Sequence, residues 1–155
     1  LLPRLGETPD ALRNVSVSLD NVGHAQQALG DFAASRATIQ ESVEIARVLL
    51  RRLGEGSITL RDLSVSLLHL GQAQREVGDL EAARRSFEES LELSRQIIQN
   101  GGATPESLRD LYVAISKLGD VQRDLGELDF ALIAFRECVD LSQRIRERVG
   151  ETAET

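Results

Sequence analysis

Three arginines, Arg13, Arg61 and Arg109, stand 48 residues apart, each inside a near copy of one twelve-residue stretch. The copies read LRNVSVSLDNVG from Leu12, LRDLSVSLLHLG from Leu60 and LRDLYVAISKLG from Leu108. A guanidinium presents N–H donors in a rigid fork, so such a ladder could hold the carboxylates of an acidic peptide. The same arginines could instead answer recurring acids of the chain, such as Asp62, Asp110, Glu41, Glu89 or Glu137, and this pairing within the chain is the favoured reading.

The remaining reactive side chains are few. His24 and His69 have reference pKa values of about 6.5 and could sense pH, but two histidines and one cysteine supply no ligand set for a zinc ion, and no metal or cofactor is expected. Cys138 replaces Ser42 and Ser90 at equivalent positions of the copies, where a small buried residue is expected and no base stands beside it. Carboxylates fall in runs such as FEESLE, the pattern of a solvated helix face. The glycines are single and evenly spaced rather than clustered into a phosphate-binding loop. No nucleophile, base and oxyanion donor can be assembled, so the chain reads as a non-enzyme.

The charge balance points the same way. With 18 Lys plus Arg against 25 Asp plus Glu the net charge is −7, which works against attraction to phosphate backbones and excludes nucleic acid as the expected partner. No apolar run approaches the roughly 18 residues needed to span a bilayer, and the opening LLPRLGETPD lacks the regions of a secretory signal, so no membrane association and a cytoplasmic setting are expected.

The elements that carry these residues are helical. The 155-residue chain is 41% hydrophobic yet only 3% aromatic, a core of Leu, Val, Ile and Ala among the helix formers Glu, Arg and Gln. Leu12, Val15, Leu19, Val22 and Leu29 step by three and four, as do Leu60, Leu63, Leu67, Leu70 and Val77, and Leu108, Leu111, Ile115, Leu118 and Leu125. Thr8-Pro9-Asp10 and Thr104-Pro105-Glu106 supply a cap, a first-turn proline and an acid at the positive end of the dipole, with Ser57 expected to cap the middle copy. Gly30, Gly78 and Gly126 end these helices, and Asp31 and Asp79 then cap second helices, Glu127 being a weaker substitute.

Each second helix alternates large and small residues: Phe32, Ser35, Ile39, Ser42, Ala46 and Leu49 in the first, with Leu80 to Ile97 and Leu128 to Ile145 as counterparts. Ile39, Phe87 and Phe135 are expected to fill the gaps left by Gly23, Gly71 and Gly119. Gln26, Gln74 and Gln122 sit in the same seam and are expected to bridge helices through their amides. A pair of helices of this kind cannot bury its second apolar face alone, so it must stack on the next.

The spacing Leu67, Leu70-Gly71, Gly78, Ala83, Phe87, repeated by Leu118-Gly119, Gly126, Ala131 and Phe135, resembles the tetratricopeptide repeat. The period is 48 rather than that family's 34, and glutamine stands where a tyrosine is usual. The resemblance implies an all-α, right-handed α-solenoid of three antiparallel helix hairpins. The frame divides residues 1–155 into the tail of a preceding repeat (1–7) and repeats at 8–55, 56–103 and 104–151, read as part of a longer array with RVGETAET a linker toward a further helix. The family also implies a protein-binding scaffold whose first helices line a concave face, and extended variants resemble arrays in large bacterial signalling and defence proteins.

On that face, positions that change from copy to copy are the candidates for reading a protein or peptide, or another domain of the parent chain. They are Asn21, His24 and Gln27 in the first copy, His69, Gln72 and Arg75 in the second, and Lys117, Asp120 and Arg123 in the third. Only Lys117 falls where some relatives clamp a terminal carboxylate, so chaperone-tail binding is not expected. The alternative reading is a structural spacer or an array that self-associates end to end through its apolar seams.

Overall fold

The computed structural model describes residues 7–153, and the expected tail of a preceding repeat, apart from Glu7, lies outside them. The described residues form six helices in three hairpins: α1 (Pro9–Ala28) with α2 (Phe32–Leu53), α3 (Ser57–Glu76) with α4 (Leu80–Gly101), and α5 (Pro105–Asp124) with α6 (Leu128–Ala153). Each helix packs on the one before and the one after it, which makes a one-dimensional stack of the tetratricopeptide-like solenoid type.

Local chemistry explains the boundaries. Thr8 accepts from the Ala11 amide, Thr104 forms a reciprocal capping box with Ser107, and Asp31 and Asp79 accept from the Ala34 and Ala82 amides at 3.1 and 3.2 Å. Gly30, Gly78 and Gly126 adopt φ of 81°, 85° and 81°, and in each hairpin the next amide reaches back to a glutamine carbonyl: Asp31 to Gln26, Asp79 to Gln74 and Glu127 to Gln122.

Two expected boundaries differ. Ser57 does not cap α3; Gly56 holds that position without a side-chain bond, and the Thr59 hydroxyl instead donates to the Gly54 and Gly56 carbonyls at 2.6 and 3.0 Å. The residues read as a linker at the end continue α6 through Gly150 to Ala153. Gly54 and Gly102, at φ of 81° and 84°, turn the chain into helices that pack back on α2 and α4, whereas Gly150 has no positive φ.

The core is divided among the layers of the stack. Leu60, Leu63, Leu67 and Leu70 of α3 pack with Ile39, Val43 and Ala46 of α2. Leu108, Leu111, Ile115 and Leu118 of α5 pack with Ala83, Phe87 and Leu91 of α4. The matching stripe of α1 is only partly covered, since Leu12 is buried while Val15 and Val22 are 40% and 49% exposed. Leu29, Phe32 and Leu128, expected in the packed faces, also lie at the surface, because they sit at the turn ends of their helices.

The glycine seams pack as close contacts. A Cβ on Gly71 would fall 2.5 Å from the Phe87 ring, one on Gly23 2.5 Å from Ile39, and one on Gly119 2.8 Å from Phe135. Glycine there is a packing requirement, since its backbone is ordinary helix.

Candidate functional site

The curvature follows from which helices touch. Besides its sequence neighbours, α3 brings Cα atoms within 8 Å of both α1 and α5, while among the described residues α2 and α4, and α4 and α6, do not come that close and meet through long charged side chains. The first helices therefore crowd on the inner side and the second helices splay on the outer side. The variable positions all lie on these first helices, α1, α3 and α5.

Charged side chains lace that surface from one first helix to the next. The Arg13 Nε donates to Asp62 at 2.9 Å, and the Arg61 Nε to Asp110 at 2.8 Å with Glu106 also in reach at 2.5 Å. Arg75 donates to Asp124 at 2.5 Å and lies 3.9 Å from Asp120. The neighbouring carboxylates raise the Arg61 and Arg75 pKa above the usual arginine range, led by the hydrogen bonds to Asp110 and Asp124. Two of the three ladder arginines are thus occupied by the chain itself. Arg109 makes no ion pair among the described residues.

The outer helices carry a second lattice. Arg47 grips Glu89 with both nitrogens at 2.6 and 2.9 Å, Arg95 lies 3.8 Å from Glu137, and Arg84 bonds Glu127 at 3.1 Å. Glu127 is therefore an ion-pair partner of Arg84. Surface pairs of this kind contribute little individually, roughly 0–1 kcal/mol, but their spacing fixes the register of one hairpin on the next.

Among the variable positions, the structure brings together residues that are distant in the sequence. The rings of His24 and His69 meet edge to face with centroids 4.3 Å apart, and the His69 Nδ1 lies 3.3 Å from Asp20. Burial, followed by the neighbouring His69, lowers the His24 pKa below its ordinary value, with Asp20 opposing. Lys117 donates to the Gln72 carbonyl oxygen at 3.2 Å, and Arg123 bonds Asp120 at 3.1 Å while lying over the Phe135 ring. Asn21 and Gln27 make no side-chain hydrogen bond among the described residues.

A cleft of about 170 Å³ between α1 and α3 is lined by Arg13, Asp20, Arg61 and Asp62 with the apolar Val17, Val65 and Leu49, and by none of the variable positions. One Asp20 oxygen is buried without a hydrogen-bond partner.

Two features of the seam were not legible from residue type. Small residues in the seam allow close approach, and the buried serines also form a hydroxyl chain between helices. Ser16 bonds Ser42 at 2.8 Å and Ser42 reaches Ser66 at 3.3 Å; Ser64 bonds Ser90 at 2.8 Å. In the third hairpin Tyr112 and Cys138 take these places, and the thiol lies 3.8 Å from the Tyr112 carbonyl. Burial, with Glu137 and Asp120 adding to it, pushes the Cys138 thiol pKa up, away from a nucleophilic thiolate.

The glutamine bridge forms in one hairpin of three. Gln74 accepts from Ser86 at 2.7 Å, whereas the side-chain oxygens of Gln26 and Gln122 are buried and unpaired. The partner position is Ser86 in the middle hairpin but Thr38 and Ala134 in the outer two, and alanine has no hydroxyl to offer.

Comparison with known proteins agrees with this geometry. The tetratricopeptide repeat model matches residues 65–97, the second half of α3 and most of α4. A model described as anaphase-promoting complex subunit 5 matches residues 9–48 and 102–150, together more than half of the chain. The chain belongs to the tetratricopeptide-like helical repeat family. Such repeats generally mediate protein–protein interaction and are typically non-catalytic. The crystal structure of BtubC (BKLC) from P. vanneervenii superposes with a TM-score of 0.66 at 23% identity, over 91% of this chain and 51% of that one. That likeness establishes the fold, and the chain spans about half the length of that structure. No curated protein matches in sequence. Among the described residues no helix is long and apolar enough to cross a membrane.

Proposed function

We propose that this tetratricopeptide-like stack is a non-catalytic scaffold that receives a peptide or a partner domain on its concave face. The observation that supports this reading is the close backbone approach of α1 to α3 and of α3 to α5, where the outer helices stand further apart and meet through long charged side chains. On this reading the three variable sets share one groove. The self-pairing of Arg13 and Arg61 shifts the burden of recognition away from the arginine ladder and onto the side chains that differ between copies: the His24–His69 pair, Gln72 with Lys117, and Asp120 with Arg123. Their chemistry changes along the groove from neutral and aromatic to charged, which suits an extended ligand read in one direction.

Selection of peptides from a displayed random library tests the reading. Ligands obtained against the wild-type chain are expected to lose at least tenfold in affinity against Lys117→Glu and His69→Ala, and to bind Arg85→Glu, on the exposed side of α4, unchanged. Ligands that respond to Arg85 and ignore Lys117 and His69 would overturn it, as would a chain from which no ligand can be selected.

A further inference from the structure

Asp20, Leu68 and Ser116 hold one and the same position of the 48-residue period. Where α3 meets α5, Leu68 packs against the core that α4, α5 and α6 share and is partly buried there. Where α1 meets α3, the shorter and charged Asp20 stands in that place, and it lines a cleft of about 170 Å³. The cleft is smaller than the roughly 300–1,000 Å³ of a small-molecule site, so it admits one side chain rather than a whole ligand.

The lining suits the stem of a long side chain, and the carboxylate suits a cation. Val17, Val65 and Leu49 supply apolar walls. The Asp20 Oδ1 is buried and accepts no hydrogen bond among the described residues, and the His69 Nδ1 stands 3.3 Å from Oδ2 without making one. The last torsion of an aspartate is soft, so either oxygen can be turned to a donor in the cleft. The two arginines of the lining leave Asp20 uncompensated, because each is engaged elsewhere: Arg13 with Asp62 and Asp10, Arg61 with Asp110 and Glu106. With Asp20 included, five carboxylates stand around two guanidiniums, and the local charge is negative.

We propose that this cleft receives one basic side chain, lysine or arginine, of a bound peptide, with its methylenes against Val17 and Val65 and its charged head on the Asp20 carboxylate. The inference rests on the reading of the first helices as the peptide-receiving face and adds the chemistry of one contact to it. Leu68 and Ser116 carry no charge at the equivalent positions, so the basic residue is read at one place in the stack. That single point of charge recognition sets the register of an extended ligand, which three similar hairpins would otherwise leave free to slip by one repeat.

Titration followed by amide NMR shifts tests this, with an acetylated pentapeptide of four alanines around a central lysine as the probe and its norleucine counterpart as the uncharged control. The lysine peptide is expected to give saturable shifts at Val17, Asp20 and Val65, and the norleucine peptide none. Asp20→Asn, which keeps the shape and removes the charge, should weaken the lysine peptide at least fivefold. Asp20→Leu, which copies the next junction, should abolish its binding, and both variants should keep wild-type helicity. Saturation that is the same in wild type and both variants, or the absence of a saturable shift at these three residues, overturns the proposal. The wider reading of the face fails separately: library-selected ligands that lose affinity with Lys117→Glu and ignore Asp20→Asn leave the groove standing and overturn the cleft alone.

Discussion

Helices α1 and α3 carry nearly the same stretch of sequence and opposite fates. Leu60, Leu63, Leu67 and Leu70 of α3 are all buried because α2 lies on one side and α4 on the other. Of the equivalent residues in α1 only Leu12 is buried, and Val15 and Val22 are 40% and 49% exposed. In a stack, then, burial is set by the neighbour as much as by the local pattern, and the stabilisation carried by a given position depends on its place in the order.

The largest effect that separates the two helices is a truncation at equivalent stripes. Leu67→Ala removes a side chain that is 1% exposed between two packed layers and should cost about 2–5 kcal/mol in chemical denaturation. Val15→Ala, at 40% exposure, should change stability by less than about 0.5 kcal/mol. Equal losses at the two positions would mean that the α1 stripe is covered in solution.

Glycine contacts sharpen the contrast. The Cβ introduced by Gly71→Ala meets the rigid Phe87 ring at 2.5 Å, and α3 has no free side toward which to retreat. The expected cost is about 1–3 kcal/mol. Gly23→Ala meets Ile39 at the same distance, but an isoleucine side chain yields more readily than a rigid ring, so the loss there should be the smaller of the two. Melting curves of the two variants decide it.

How much of this was legible beforehand follows from the same contrast. The helix pairs, their glycine stops and the Asp31 and Asp79 caps were readable because each depends on residues within one turn of the chain. The fit of Gly71 against Phe87 was readable too, because the 48-residue period shows both positions three times. The exposure of Val15 was not, since burial at that position depends on what packs beside α1 and not on the local pattern. Ser57 misled because a serine at the start of a helix is a good cap by type, but Thr59 took the loop carbonyls and set the boundary one residue earlier. The His24–His69 contact escaped because these residues are 45 apart and not at equivalent positions; only the offset of neighbouring first helices, visible in coordinates, joins them.

The glutamine seam allows a gain rather than a loss. Gln74 is satisfied by Ser86, while Gln122, in the same place one hairpin later, has a buried oxygen facing a position where Ala134 stands. Ala134→Ser should restore the bond and raise stability by about 0.5–1.5 kcal/mol, and should lose that gain in the background Gln122→Leu. A neutral result in the wild-type background would show that water already reaches the Gln122 amide.

The smallest effect lies where α1 and α3 meet. His24 is held below its ordinary value of 6.5 by burial and by the facing His69, with Asp20 the only carboxylate acting in the other direction. As pH falls through that value the unfolded chain takes up a proton on His24 that the folded chain resists, so the proton binds more to the unfolded state and stability declines. The decline should begin near pH 6.5 and level off once the folded state also protonates. His24→Gln removes the group from both states, and its stability should therefore fall less than that of the wild type between neutral pH and the acidic side of the histidine range. Because the ring is largely at the surface the difference is modest. Parallel curves for the two proteins would place His24 in open solvent, and a steeper fall for His24→Gln would mean that its protonated form is bound by Asp20 in the folded stack.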